Sequence, residues 1–387
     1  MRRGTMKVRM GMIGGGEGSL IGPVHRMAAR LDGLTDLVCG AFSSDRDISR
    51  ATGAREGLPA SRVYPTWQEM IAGESKLPPE VRPHFISIVT PNNLHYGPAK
   101  AALEAGFHVV CDKPLCISVE EAEDLQETVG RTSRLFCLTH NYTGYPMVKQ
   151  AREMVTAGEI GTIRKVVVQY LQGWLSAPVE KTGNRQAVWR SDPARAGIAG
   201  AMADIGTHAF NLAEYITGEV VTELSARLNS IVPGRILDDD GTVSLQFGNG
   251  MTGTLLASQV ATGEENNLSI RIYGEKGGII WNQMEPNTLT LLWSDSRVQL
   301  MRTGTSFPGT GKLASLHTRI PAGHPEGFIE AFANLYRNFA MNIMALEEGK
   351  AHDTMINYPG IHEGVRGMKF LRAAVASSRQ GSVMVSL

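Results

Sequence analysis

The apolar residues Val8, Met10, Met12 and Ile13 form a short run that Gly14, Gly15, Gly16 and Gly18 break, and Val24 to Leu31 then resumes with helical spacing. That succession predicts a buried strand, a glycine turn and a helix. Leu37 to Phe42, Ile86 to Val89, Phe107 to Cys111 and Leu135 to Thr139 read as further buried strands, with helical patterns between them. Strands alternating with helices predict a parallel sheet covered on both faces. Beyond about Tyr145 the pattern changes. Met147 to Ala157 reads as a helix closed by Gly158, and longer strands follow: Ile163 to Leu171, Leu224 to Ile231, Thr242 to Phe247, Met251 to Val260, Leu268 to Tyr273 and Thr288 to Trp293. Phe247-Gly248-Asn249-Gly250-Met251 is a strong hairpin turn. Helices are expected around Asp204 to Tyr215 and near the C-terminus, and Thr303 to Lys312 reads as a mobile loop. The expected architecture is an α/β domain over residues 1–140, then an α+β domain over 141–387 with a large, mainly antiparallel open sheet.

A chain of 387 residues suits two such domains. Lys plus Arg and Asp plus Glu number 38 each, so there is no electrostatic case for a nucleic-acid or anionic-membrane partner, and a neutral small molecule fits better. Met1-Arg2-Arg3 is followed by no apolar leader segment, and no apolar run approaches the ~20 residues of a membrane span. A cytoplasmic protein is expected. Cys39, Cys111, Cys116 and Cys137 follow no zinc-ligand spacing and read as buried free thiols, so no metal is expected. An open antiparallel sheet needs its second face covered, which predicts a homo-oligomer, a dimer or tetramer.

The glycine turn is the first candidate for chemistry. A missing Cβ lets backbone N–H groups at a helix start approach a pyrophosphate. Gly14-x-Gly16 is the expected pair; Ser19 holds the place of the third glycine, and Gly22 falls where the helix would pack on the strand. Gly14, Gly16, Ser19, Leu20 and Ile21 are therefore expected to line a dinucleotide. Ser43, Ser44 and Asp45 stand where such units meet the adenosine ribose. An acidic residue there selects NAD, but Asp45 comes two residues late, beside Arg46, and could equally cap the next helix. NAD is the expected cofactor, with NADP left open through Arg46.

Three further strand ends carry Pro91-Asn92-Asn93, Asp112-Lys113-Pro114 and His140-Asn141-Tyr142, in the places that line the ligand crevice of a parallel sheet. In the second half, Asp204 and His208 are four apart and would share one helix face. His208 could take the proton of an alcohol while hydride leaves carbon, Asp204 could orient the ring or bind a neighbouring hydroxyl, and Lys113 could stabilise the alkoxide or relay the proton. Each residue also has a purely structural reading, as a helix cap, a core histidine or a turn lysine. Trp189 and Arg190 offer an indole face and a hydroxyl donor to a sugar or cyclitol, or else plug and border a loop. His317 is a candidate to reach the substrate, in its own subunit or a neighbour's.

With these residues in place, the sequence resembles the glucose-fructose oxidoreductase, inositol dehydrogenase and rhizopine catabolism (Gfo/Idh/MocA) family over nearly its whole length. The resemblance rests on the glycine turn with His25, on Thr90-Pro91-Asn92 with His95, on Asp112-Lys113-Pro114 and on Gly200-x-x-x-Asp204-x-x-x-His208. It implies a Rossmann domain followed by a substrate domain, with Lys113, Asp204 and His208 catalytic. It also implies that Pro91, Asn92 and His95 lie along the nicotinamide, with Asp112 and Lys113 at the cofactor, and that Asn141 and Tyr142 face the substrate. The sequence departs from the family in its enlarged glycine turn and in Asp112, where glutamate is usual. The implied activity is NAD-dependent oxidation of a secondary hydroxyl of a neutral cyclic polyol, scyllo- or myo-inositol or a pyranose. The alternatives are redox-neutral glycoside cleavage with tightly held NAD and a non-catalytic nucleotide sensor.

Overall fold

The structure is a computed structural model that describes residues 7–305, 309–351 and 353–387. The expectation for Met1-Arg2-Arg3, and the centre of the expected Thr303 to Lys312 loop, lie outside the described residues. The chain divides into two compact units. The first takes residues up to Cys116, Glu120–Asn141 and Phe332–Val365; the second takes Ile117–Val119, Tyr142–Ala331 and Arg366–Leu387.

The first unit is built on five parallel strands, β1 (Val8–Gly14), β2 (Thr35–Ala41), β3 (Phe85–Val89), β4 (His108–Cys111) and β5 (Phe136–Leu138), in the order β2-β1-β3-β4-β5. β3 and β4 are buried at every residue, as a sheet covered on both faces requires. The order reverses between β1 and β3, which in open α/β sheets marks the crevice for a ligand at the carboxyl ends of the strands. The helix that Asp45 was expected to cap, Arg46–Arg55, and two helices not foreseen in the sequence, Trp67–Glu74 and Val119–Thr132, complete the covering layers; Thr66 caps the second of the three.

A single boundary after residue 140 does not describe how this unit is made, because residues 332–365 group with it. The reason is aromatic packing. The Tyr336 hydroxyl bonds His25 Nδ1 at 2.7 Å and Ser87 Oγ at 2.8 Å, while Phe339 stands edge-on to Phe85 and His108. No short-range pattern announces contacts between residues some three hundred apart in sequence.

The second unit holds β6 (Ile163–Leu171), β7 (Val221–Asn229), β8 (Asp240–Phe247), β9 (Thr252–Ser258), β10 (Asn267–Gly274), β11 (Gly277–Asn282), β12 (Thr288–Trp293), β13 (Val298–Arg302) and β14 (Val385–Ser386). They form one sheet in the order β13-β12-β11-β10-β6-β9-β8-β7-β14, antiparallel except for the β6–β9 pair. The expected hairpin joins β8 to β9, with Gly250 at φ 88°. β11, β13 and β14 were not read from the sequence. Alternation along β6 buries Val166, Val168 and Tyr170 on the face that meets the Thr207–Thr217 helix. No described helix is long and apolar enough to cross a membrane.

A Cβ placed on Gly22 would lie 2.4 Å from Gly15 Cα, so the first helix meets the first strand at a contact only glycine allows. Gly22→Ala is expected to lower unfolding free energy by roughly 1–3 kcal/mol in urea titrations, the usual range for overpacking; an unchanged midpoint would show that the helix start relaxes freely.

Candidate active site

In the first unit the strand ends meet as the topology demands. Gly14 and Gly15 adopt φ of 80° and 72°, and a Cβ on Gly16 would come within 2.8 Å of the Phe42 carbonyl oxygen. The turn therefore packs tightly on Val89 and Phe42 with no room for side chains, and bare glycines at a helix start fit a pyrophosphate lying on main-chain N–H groups. Ser19 Oγ accepts from Gly22 N at 3.1 Å, so the residue at the third glycine's place caps the helix start, while Leu20 is exposed and Ile21 partly so. Arg26, absent from the sequence expectations, donates to the Gly15 carbonyl at 2.7 Å and fastens the turn from behind. Ser43 and Asp45 follow β2, and Asp45 is indeed a cap. Its Oδ1 accepts from Asp47 N and Ile48 N at 2.9 and 3.2 Å, and Ser43 Oγ accepts from Asp45 N. Ser44 is exposed beside them.

At the end of β4, Asp112 Oδ1 accepts from Lys113 N at 2.9 Å and from Thr139 Oγ1 at 2.7 Å, tying the β4 and β5 ends together. Its Oδ2 stands 3.9 Å from Nε2 of the fully buried His25. Burial would raise this carboxyl, yet His25, Lys113 and His95 around it hold it well below the usual carboxylate range. His95 is almost wholly buried, with Nδ1 2.8 Å from the Pro114 carbonyl and Nε2 2.9 Å from that of Thr90. Burial lowers its pKa and favours the neutral ring, which donates one of these bonds and clamps the end of β3 to the turn after Lys113. Asn92 is buried, Pro91 half-buried. Asn141 is buried with no hydrogen-bond partner for Nδ2, a donor suited to a ligand oxygen. His140, beside it, is pushed down to about 3 by burial and by Lys113, so it stays neutral.

In the second unit, Asp204 sits in a π-helical turn, Met202–Gly206, that opens directly into the Thr207–Thr217 helix. Thr207 N reaches back five residues to the Met202 carbonyl. The turn is wider than the ordinary helical turn expected, though positions four apart still fall on one side of it; such turns recur at functional sites. The Asp204 carboxylate turns to Arg190 Nε, 3.0 Å from Oδ2, and to Gln259 Nε2 at 2.8 Å. The His208 ring instead packs edge-on against Tyr142, centroids 4.8 Å apart, with Tyr170 at 6.2 Å. The Tyr142 hydroxyl is engaged with Tyr170 at 2.5 Å and Asn266 at 3.1 Å, and burial raises the pKa of both phenols.

Trp189 and Arg190 lie on a short helix, Arg185–Arg190, capped by Asn184. The Arg190 guanidinium stacks 4.2 Å from the Trp189 ring centroid and 5.8 Å from that of Trp174. Its Nε and Nη1 are engaged with Asp204 and Gln186, which gives the arginine an internal role beside the expected one toward substrate. His317 is fully buried, Nδ1 2.7 Å from the Leu313 carbonyl, and so offers no surface to a neighbouring subunit. Gln172, Trp174, Gln259 and Asn266 were missed. They lie where β6, β9 and β10 begin or end, and nothing in a lone glutamine or asparagine marks it as part of a site. No described residues gather three His, Cys, Asp or Glu as a metal site would.

Residues 8–153 match the oxidoreductase family with an NAD-binding Rossmann fold, and residues 148–280 match the GFO/IDH/MocA C-terminal domain. The chain belongs to the Gfo/Idh/MocA family of NAD-binding oxidoreductases. It is 34% identical to the uncharacterized oxidoreductase YfiI of Bacillus subtilis, over 98% of this chain and 96% of that one. The crystal structure of an inositol dehydrogenase homolog from Azotobacter vinelandii, complexed with NADH and myo-inositol, superposes with a TM-score of 0.91 at 35% identity, covering 99% of this chain and 98% of that one. Levoglucosan dehydrogenase of Pseudarthrobacter phenanthrenivorans is 29% identical over 58% of this chain and 62% of its own.

A Cβ on Gly200, the first residue of the Asp204 motif, would lie 2.1 Å from the Asp238 carbonyl oxygen. Gly200→Ala is expected to cost about 1–3 kcal/mol of stability in urea unfolding, and unchanged stability would show that this approach does not constrain the turn.

Proposed function

We propose that this enzyme oxidises one secondary hydroxyl of a neutral cyclic polyol, an inositol or a pyranose sugar, to the ketone or lactone, in the cytoplasm and with NAD. The observation that carries the reading is charge balance around Asp204 and His208. Arg190 is paired with Asp204, and Gln172, Gln259, Asn266, Tyr142 and Tyr170 add hydrogen-bonding groups without net charge. Such a lining suits hydroxyls; it provides no unpaired arginine clamp for a phosphate or carboxylate. The relatives solved or named with myo-inositol and levoglucosan support the same class.

In this reading NAD lies on Gly14, Gly16 and the strand ends Ser43 to Asp45, Pro91 to Asn92 and Asp112 to Lys113, and bound there it supplies the hydride acceptor. His208 Nε2 or Nδ1 takes the hydroxyl proton, the role of general base that an imidazole can fill. Lys113 is assigned the complementary role, its ammonium stabilising the negative charge that develops on the same oxygen. Asp204 holds the substrate and the ring in register, and Asn141 Nδ2 and the Trp189 ring complete the grip on hydroxyls and ring face.

NAD and NADP are to be incubated separately with a panel of inositols, aldopyranoses, sugar phosphates and sugar acids, with reduction followed by absorbance. Reduction of NAD by an inositol or neutral pyranose is the expected result; activity confined to phosphorylated or acidic sugars would overturn it. His208→Ala and Lys113→Ala should each lower kcat at least ~100-fold with little change in NAD affinity by calorimetry. Undiminished turnover in either variant would remove that residue from the mechanism.

The second face of the nine-stranded sheet supports a homo-oligomer, a dimer or tetramer. Pairing aligns Val167, Arg271, Ile280, Thr290 and Leu300 across it, and Leu300 and Val298 on the edge strand are 54% and 66% exposed. Light scattering should give a multiple of 41.9 kDa; a single chain mass at working concentration would refute the assembly.

A further inference from the structure

The hydrogen bonds that reach Asp204 have a fixed direction at every link. Tyr170 donates to Asn266 Oδ1 at 2.6 Å, so the short Tyr142–Tyr170 contact is donated by Tyr142, and Asn266 Nδ2 closes the ring onto Tyr142 at 3.1 Å. Gln172 Nε2 donates to Asn266 Oδ1 at 2.8 Å, which leaves Gln172 Oε1 to accept from Trp174 Nε1 at 3.0 Å and from Gln259 Nε2 at 3.2 Å. Gln259 Nε2 therefore directs one hydrogen to Gln172 and its other to Asp204 Oδ2 at 2.8 Å. Reversing the Gln259 amide would set its oxygen against two acceptors at once. Arg190 Nε, which can only donate, meets the same Oδ2 at 3.0 Å. Gln259 is 2% exposed and its backbone is pinned on both sides, N to the Asp239 carbonyl and O to Leu175 N, so its side chain has little freedom to turn away.

We infer that Gln259 is a positioning residue, which with Arg190 keeps Asp204 Oδ2 a permanent hydrogen-bond acceptor and so leaves the substrate proton to His208. The division of labour rests on the proposed reaction, whereas the ionised state of Asp204 does not. A carboxylate that accepts from a guanidinium and an amide donor is stabilised in its ionised form relative to its acid, so its affinity for a proton falls. Asp204 is thereby made the weaker base of the two, although a carboxylate four residues from a histidine would otherwise compete for that role. Gln172 contributes at one remove, because its own polarity, set by Trp174 and Asn266, is what turns the Gln259 amide hydrogens toward Asp204.

The test follows the carboxyl 13C signal of Asp204, assigned by its loss in Asp204→Asn, through a pH titration of the full-length protein and of Gln259→Glu and Gln259→Leu. Gln259→Glu keeps the side-chain volume and replaces the donor by an acceptor; Gln259→Leu removes the donor. The expected result is that Asp204 takes up a proton at distinctly higher pH in both variants, most in Gln259→Glu, with thermal midpoints near that of the parent. In the kinetics, kcat should fall about tenfold or more with KM little changed, and the acid limb of the kcat/KM profile should move to higher pH. Identical Asp204 titrations in all three proteins would overturn the inference. A shifted titration in a protein that reduces NAD with no polyol would leave the inference standing and reject the reaction instead.

Discussion

The second unit's site depends on a close approach of two backbones. Gly200 runs so near the Asp238 carbonyl that no side chain fits, and the buried Asp238 carboxylate, its pKa raised by burial, accepts from Gly200 N and Met202 N at 2.7 Å each. These bonds fix the two residues before the π-helical turn and with them the direction in which Asp204 leaves the chain. The same loop between β7 and β8 holds the opposite wall. All five N–H groups of Arg235 are used, on Glu180, Asp239 and the carbonyls of Leu175 and Ala177. That pins the irregular stretch that carries Trp174, Trp189 and Arg190. Asp204 and Arg190 approach from elements with no regular contact between them, and one ten-residue loop braces both.

The first unit solves the corresponding problem with glycines and a buried histidine. The turn after β1 needs left-handed φ at Gly14 and Gly15 and bare Cα atoms at Gly16 and Gly22, so four positions admit no other residue without strain. Behind it His25 takes a hydrogen bond with Tyr336 on one nitrogen and turns the other to Asp112. The glycine turn and Asp112, the residue before Lys113, are thereby tied to one aromatic cluster. A change in the strand-end residues would be felt at the turn through packing alone.

Much of this was legible in the sequence, and the boundary of legibility has a physical cause. Strand ends were readable because apolar runs stop abruptly at polar residues, and the glycine turn because its residues have no alternative that fits. Asp45 showed its role as a cap in advance, since capping follows from local order alone. What could not be read were contacts made by neutral side chains across strands. Gln172, Gln259 and Asn266 are unremarkable in sequence and acquire meaning only when β6, β9 and β10 lie side by side. The π-helical turn was missed for a related reason: Asp204-x-x-x-His208 obeys ordinary helical spacing, and nothing in the local order marks that Thr207 N reaches back to Met202 rather than Ala203. Tyr336 and Phe339 likewise joined the first unit through packing that no local period encodes.

The two halves handle charge in opposite ways, and this bears on how the family's chemistry is distributed here. Around Lys113, Asp112 is kept charged by His25 and the lysine near it, and His140 and His95 are kept neutral by burial. Around His208, by contrast, Arg190 and Asp204 cancel, and the remaining lining is phenol and amide. On the proposed reading this contrast has a use, because the hydroxyl groups of a polyol can both donate to and accept from a neutral lining without the desolvation cost that a charged wall would impose.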